Sequence, residues 1–186
     1  MRAKLISLTL ALALAAGVAA CGENDSPASA SGAASSEEAA TPAPTEPAPS
    51  GGGADAIAKG VSKDTKTKPE FPAPSGDPPT ALVVKDIVKG KGPKAKAGDQ
   101  LTMQYVGVSW SNGQQFDASW DNGQPFPFQL GAGKVIAGWD QGMVGMRAGG
   151  RRLLVIPPDL GYGPSGSGPI GPNETLIFVV DLVKLG

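Results

Sequence analysis

The side chains that can do chemistry in this chain are few, and most of them are aromatic. There is no histidine and one cysteine among 186 residues. That removes Ser-His-Asp and Cys-His catalysis, most zinc sites and any intramolecular disulfide. What remains is a set of rings, Tyr105, Phe116, Phe126, Trp139, Tyr162 and Phe178, spread over the second half of the chain. If they converge, they form an apolar pocket with Trp139 as its base and Val135, Ile136 and Ile170 as aliphatic walls. Asp117, next to Phe116, is the one acid placed for its rim. The plainer alternative is that Trp139 is ordinary core, since a buried indole needs no function to explain it.

The elements that must position these rings follow from periodicity. Ile136, Trp139, Met143 and Met146 recur at spacings of three, four and three, which lines one face of a short helix beginning near Lys134. Gly145 is placed to cap it with a positive φ. A helix carrying a large indole cannot bury it alone and needs a sheet to lie against. Strands are predicted at 81–88, at about 100–109, where Leu101, Met103 and Tyr105 alternate with Thr102 and Gln104, at 126–130, at 151–156 and at 175–185. Asn112-Gly113 signals a hairpin. Residues 157–173 form a long loop carrying Tyr162. The last strand has large side chains on both faces and is expected to be central. The fold class is α+β: an antiparallel sheet wrapped around one short helix.

Six segments then carry a resemblance. Tyr105-Val106-Gly107, Phe116-Asp117-Ala118-Ser119, Pro125-Phe126-Pro127-Phe128, Val135-Ile136-Ala137-Gly138-Trp139, Ile156 to Gly163 and Thr175-Leu176-Ile177-Phe178 resemble, in order and spacing, the FKBP family of peptidyl-prolyl cis-trans isomerases. The resemblance covers about residues 80–186 and implies a twisted, half-open antiparallel sheet around one helix. It also implies site roles. Tyr105, Phe116, Asp117, Trp139, Tyr162 and Phe178 are the catalytic set, and Phe126, Val135, Ile136 and Ile170 complete substrate binding. The prolyl ring would sit on Trp139, the Ile136 N–H and the Tyr162 hydroxyl would donate to substrate or macrolide carbonyls, and Asp117 would orient polar contacts. Loop 164–173 lacks a histidine that some relatives carry and is one residue shorter. No long insert interrupts residues 105–178, so the chaperone flap of some bacterial relatives is not expected.

The implied reaction needs no acid, base or nucleophile. Rotation about an X–Pro bond breaks no covalent bond, and its barrier of ~18–20 kcal/mol comes from amide resonance. No cofactor and no metal are therefore expected. The implied partners are proline-containing exported polypeptides and macrolides such as rapamycin. The formal net charge of −1 suggests no nucleic acid, and the protein is expected to be a monomer. The rival reading is a non-catalytic proline-binding module of the cell envelope.

The first part of the chain reads differently. Arg2 and Lys4 precede an apolar run from Leu5 to Ala16 that is too short for a typical membrane span. Val18-Ala19-Ala20-Cys21 resembles a bacterial lipobox, which implies a signal peptide over 1–20 and acylation of Cys21; the alternative is a plain secretory signal cut after Ala20. Residues 21–78 are rich in Ala, Ser, Pro and Gly and are expected to be a disordered tether, with ends roughly 40 Å apart as a flexible coil. Only Ile57 and Val61 suggest a helical turn there. The isomerase domain is expected over 79–186, and the location is extracytoplasmic, with the chain lipid-anchored to the cell membrane.

Overall fold

Alternation along two long strands determines how the molecule is layered. The computed structural model describes residues 52–186. In β5 (Arg151–Ile156) and β6 (Leu176–Leu185), one set of side chains, Leu154, Ile156, Leu176, Phe178, Val180 and Leu182, joins a core on one face of the sheet. The alternate set, Leu153, Val155, Ile177 and Val179, joins a second core on the other face. Side chains on successive residues of a strand point to opposite faces, so a strand apolar on both must be covered on both.

The sheet is antiparallel throughout. Its order is β1-β5-β6-β2-β3, with β1 (Val83–Val88), β2 (Gln100–Ser109) and β3 (Gln115–Ala118), while β4 (Phe126–Gln129) also pairs with β2. β6 is central, as its two apolar faces required. The Asn112-Gly113 hairpin joins β2 to β3, with Gly113 at φ 68°.

The helix of the second half is shorter than its apolar spacing suggested. α2 spans Ala137–Gly142, and Met143 caps it. Met143 and Met146 are buried in the same core as Trp139, but Met146 lies beyond the helix, past Gly145 at φ 76°. Helical spacing here marks one buried face continued by an irregular turn. Two glycines bring α2 down onto β5. A Cβ at Gly138 would lie 2.4 Å from Ile156 Cγ2, and one at Gly142 would lie 2.7 Å from Leu154 Cδ2. Arg152 holds the far end of the helix. Its Nη1 donates to the carbonyls of Gly142 and Val144 at 2.7 and 3.2 Å, and its Nε donates to Asp86 on β1 at 2.7 Å. A cation at a helix C-terminus also suits the helix dipole.

The opposite face is closed by residues expected to be tether. An additional helix, α1, spans Gly52–Gly60 and buries Ala54 and Ile57, with Val61 just after it. These pack with Val83, Val106, Val108, Leu153, Val155, Ile177 and Val179, and Phe71 lies against the same core. The chain is then fastened at several points. Arg151 donates to the carbonyls of Ser62 and Thr67 at 2.7 and 2.9 Å, Lys68 pairs with Asp121 at 2.6 Å, and Trp110 Nε1 donates to the Gly76 carbonyl at 3.1 Å. The folded part therefore begins by residue 52, not at 79. The composition of 52–78 is poor in apolar residues, but the few it has meet a sheet face that is entirely apolar. The proposed signal peptide, Cys21 and the first part of the tether lie outside the described residues. Among the described residues no helix is long and apolar enough to cross a membrane.

Candidate active site

The rings converge on Trp139. Tyr105 from β2 and Phe178 from β6 each meet the indole edge to face, with centroids 5.2 Å away and planes at 82° and 85°. Phe126 from β4 approaches it at 6.2 Å and 78°. Phe116 from β3 meets Phe178 at 5.5 Å and 81°. These T-shaped arrangements set the positive edge of one ring against the negative face of the next, the geometry aromatic pairs prefer. Gly107 makes it possible: a Cβ there would lie 2.7 Å from both the Phe116 and the Phe178 rings.

The floor is dry and the rim is open. Trp139 is 4 % exposed, whereas Phe126 and Tyr162 are 39 % and 40 % exposed. Trp139 Nε1 is buried and has no hydrogen-bond partner among the described residues. An unpaired buried donor costs about 1–3 kcal/mol, and here the cost falls on the floor of the site. Ile170 is buried in the same core, and Val135 and Ile136 pack against it, half-buried. Ile136 is the extended residue before α2, at φ −60° and ψ 148°. The loop that delivers it is tied down by Asp140, whose carboxylate accepts from the Gly131 and Gly133 N–H groups at 2.8 and 3.1 Å.

One polar pair crosses the rim. The Tyr105 hydroxyl donates to Asp117 Oδ2 at 2.5 Å, and Asp117 is exposed. The Tyr105 phenol is raised well above its ordinary value. Burial contributes most, followed by the hydrogen bond and charge of Asp117 and the neighbouring Tyr162. The phenol is thus held as a neutral donor that keeps the carboxylate in place. The Tyr105 N–H in turn donates to Ser119 Oγ at 2.8 Å, which joins the β3 end to β2.

All ten residues expected from sequence lie in or against this cluster: Tyr105, Phe116, Asp117, Phe126, Val135, Ile136, Trp139, Tyr162, Ile170 and Phe178. Phe128 was missed. It is buried, stacks on Phe126 at 5.8 Å and 22°, and lies 5.6 Å from Trp139. Strand alternation from Phe126 puts it on the same side, so it was readable. Surface depressions exist elsewhere, one of about 660 Å³ between α1 and β1 and one of about 470 Å³ beside Trp110. Neither gathers converging rings. Among the described residues no group of His, Cys, Asp and Glu could hold a metal ion.

Known proteins share this plan. Residues 92–183 match the family described as FKBP-type peptidyl-prolyl cis-trans isomerase. The chain is 58 % identical over 120 residues to the FK506-binding protein of Streptomyces anulatus, covering 63 % of this chain and 97 % of that one. It is 46 % identical over 117 residues to the probable FK506-binding protein of Corynebacterium glutamicum, covering 63 % and 98 %. Among solved structures, the crystal structure of AtFKBP13 superposes with a TM-score of 0.54 at 38 % identity, covering 59 % of this chain and 96 % of that one. The six-stranded antiparallel sheet, the short helix under its aromatic cluster and these relatives agree: the chain belongs to the FKBP-type peptidyl-prolyl cis-trans isomerase family.

Proposed function

We propose that this isomerase acts on exported polypeptides and that the aromatic cluster around Trp139 is where it does so. The carrying observation is the convergence of Tyr105, Phe126 and Phe178 on a buried indole whose rim is left exposed. A prolyl ring resting on Trp139 leaves water. The planar amide has a polarised carbonyl, and the twisted transition state has lost that resonance. A dry ring-lined site therefore favours the twisted form, and complementarity to it requires shape and desolvation rather than proton transfer. Removing ~4–7 kcal/mol from the barrier accelerates rotation roughly a thousand- to a hundred-thousand-fold. The Ile136 N–H and the Tyr162 hydroxyl are the donors that would hold the flanking chain, and Asp117, held by Tyr105, borders the entry.

Macrolides such as rapamycin would occupy the same rings; the relatives named FK506-binding proteins support this reading. The lipobox-like residues ending in Cys21 support acylation and an extracytoplasmic location, with the domain working as a monomer near the membrane. Multiple acyl chains would hold it firmly, since each buried CH₂ adds ~0.8 kcal/mol. Changing Cys21→Ser should then release the protein into soluble fractions or stall its processing; a variant that stays on the membrane at normal mature mass would refute the anchor.

The test of the site is a proline-isomerisation assay with Trp139→Leu and Tyr162→Phe. Trp139→Leu should lower turnover well over tenfold, weaken rapamycin and reduce stability by a few kcal/mol. Tyr162→Phe should weaken binding by about 0.5–1.5 kcal/mol and leave melting almost unchanged. A Trp139→Leu protein that is folded and turns over at the wild-type rate would make the indole core alone. Rapamycin binding without measurable turnover in the parent chain would favour the proline-binding module instead.

A further inference from the structure

The two faces of the sheet differ in cover, and the chain differs in charge along its length. The aromatic site lies over β2, β3, β4 and β6 on the α2 face, whereas α1 closes the other face. Between residues 59 and 96 the chain carries nine lysines against four acids; from 97 to 186 it carries five Lys and Arg against seven acids. Positive charge is therefore concentrated on the cover, β1 and the loop after it. β1 is the sheet edge opposite β3, which contributes Phe116 and Asp117 to the site.

The depression of about 660 Å³ between α1 and β1 collects part of this charge. Lys59 of α1, Lys63 after it, and Lys85 and Lys89 of the β1 side line it, with Asp55 and Asp86. Both acids are engaged, Asp55 with Lys85 at 2.6 Å and Asp86 with Arg152 at 2.7 Å. Lys59, Lys63 and Lys89 are exposed and have no ion pair among the described residues. Three unpaired ammonium groups around one concavity create a local positive field.

We propose that this lysine-lined face docks on an anionic lipid surface and so turns the aromatic site toward the outside. The placement of the chain agrees with the charge. α1 forms one wall of the depression, and in sequence only residues 22–51 separate Cys21 from that helix, so a chain held at Cys21 keeps the depression within reach of the membrane. The proposal rests on the lipid-anchored reading only for its location; attraction between the lysines and an anionic leaflet does not need the acyl groups. Each lysine at such a surface contributes about a fivefold gain in partitioning, so three together contribute roughly a hundredfold.

The experiment uses the mature chain carrying Cys21→Ser, so that no lipid contributes. Co-sedimentation is measured with vesicles of phosphatidylcholine alone and with 30 mol % phosphatidylglycerol, at about 50 and 300 mM salt. Binding is expected only with phosphatidylglycerol and should fall with salt. Lys59→Glu/Lys63→Glu/Lys89→Glu should lower it at least tenfold, Lys59→Gln/Lys63→Gln/Lys89→Gln should lower it less, and Lys184→Glu should barely change it. Isomerase turnover on a short peptide should be the same for every variant, which checks that each is folded, and the same for vesicle-bound and free protein. Equal binding to both lipid compositions, or a triple Glu variant that binds like the parent, overturns the docking face. Loss of turnover on vesicles overturns the orientation. Fractionation of cells carrying Cys21→Ser after a wash at about 300 mM salt, which screens the lysines but does not extract acyl chains, tests the anchor separately, so either idea can fail alone.

Discussion

Arg151 and Asp181 form a fully buried bidentate pair, with Nε to Oδ1 at 2.7 Å and Nη2 to Oδ2 at 2.8 Å. The remaining donors of the guanidinium reach the Ser62 carbonyl and hydroxyl and the Thr67 carbonyl. All five N–H groups of Arg151 are thus used, which is what a buried guanidinium needs to offset its desolvation. A strand residue in mid-sheet thereby fastens the N-terminal cover.

Arg151→Met should therefore cost about 3–5 kcal/mol in urea unfolding, because Asp181 is left buried and unpaired. Arg151→Met combined with Asp181→Leu should recover most of that loss. Turnover of the folded fraction should stay near wild type in both, since the pair lies on the face away from Trp139. A loss below about 1 kcal/mol for the single variant would mean the pair is dispensable.

The cover itself can be removed. Ile57→Ala should destabilise by about 2–5 kcal/mol, the range for a fully buried large-to-small change. A chain starting at residue 79 should expose the apolar face containing Val106, Val108, Val155 and Val179, and should melt lower and associate, as large exposed apolar patches do. A chain starting at residue 52 should melt like the full-length protein. Equal melting of the two truncations would show that α1 contributes nothing.

Tyr105 provides a pH test. Its phenol is raised above the ordinary value of about 10. A raised folded-state pKa contributes stability that is fully present below the unfolded value and is lost as pH rises through the folded one. Unfolding should thus become easier above about pH 10, and less so in Tyr105→Phe. The chain has two tyrosines, so Tyr162→Phe leaves Tyr105 as the only phenol. Its ultraviolet titration in the native protein should have a midpoint above that in denaturant. Coincident midpoints would contradict the buried hydrogen bond to Asp117. Between about pH 6 and 8.5 turnover should be nearly flat, because the proposed site contains no histidine.

Gly107 tests whether ring geometry matters apart from stability. Gly107→Ala places a methyl within 2.7 Å of Phe116 and Phe178, and overpacking of this kind costs about 1–3 kcal/mol. Because both rings border the proposed site, kcat/KM should fall about tenfold or more, roughly 1.4 kcal/mol in the barrier. Val106→Ala, on the other face of the same strand, should reduce stability with little change in turnover. Similar turnover loss in both would mean a general effect of destabilisation.

The sheet and the site were readable for different reasons. β6 was read as central because its apolar side chains fall on both faces, and Asn112-Gly113 marked the β2–β3 hairpin by turn chemistry alone. The ten residues expected at the site came from short motifs in order, and the structure gathers them in one cluster, with each ring delivered by its own element. α1 was not readable. Its signal is only Ala54, Ile57 and Val61 in a Gly- and Ala-rich stretch, and what makes it fold is a sheet face and an arginine about ninety residues further on. Local composition cannot report a partner so distant. The end of α2 was missed for a related reason: Met146 continues the burial of the helical face without continuing the helix.

Gly138 and Gly142 have a consequence for the depth of the site. With side-chain carbons there, α2 would have to rise from β5 or push Ile156 and Leu154 aside. Trp139 travels with the helix, so lifting it would make the basin shallower under a bound ring. How far a proline can sink before it meets the indole is thus determined by two missing methyl groups on the underside of the helix, which never touch the ligand.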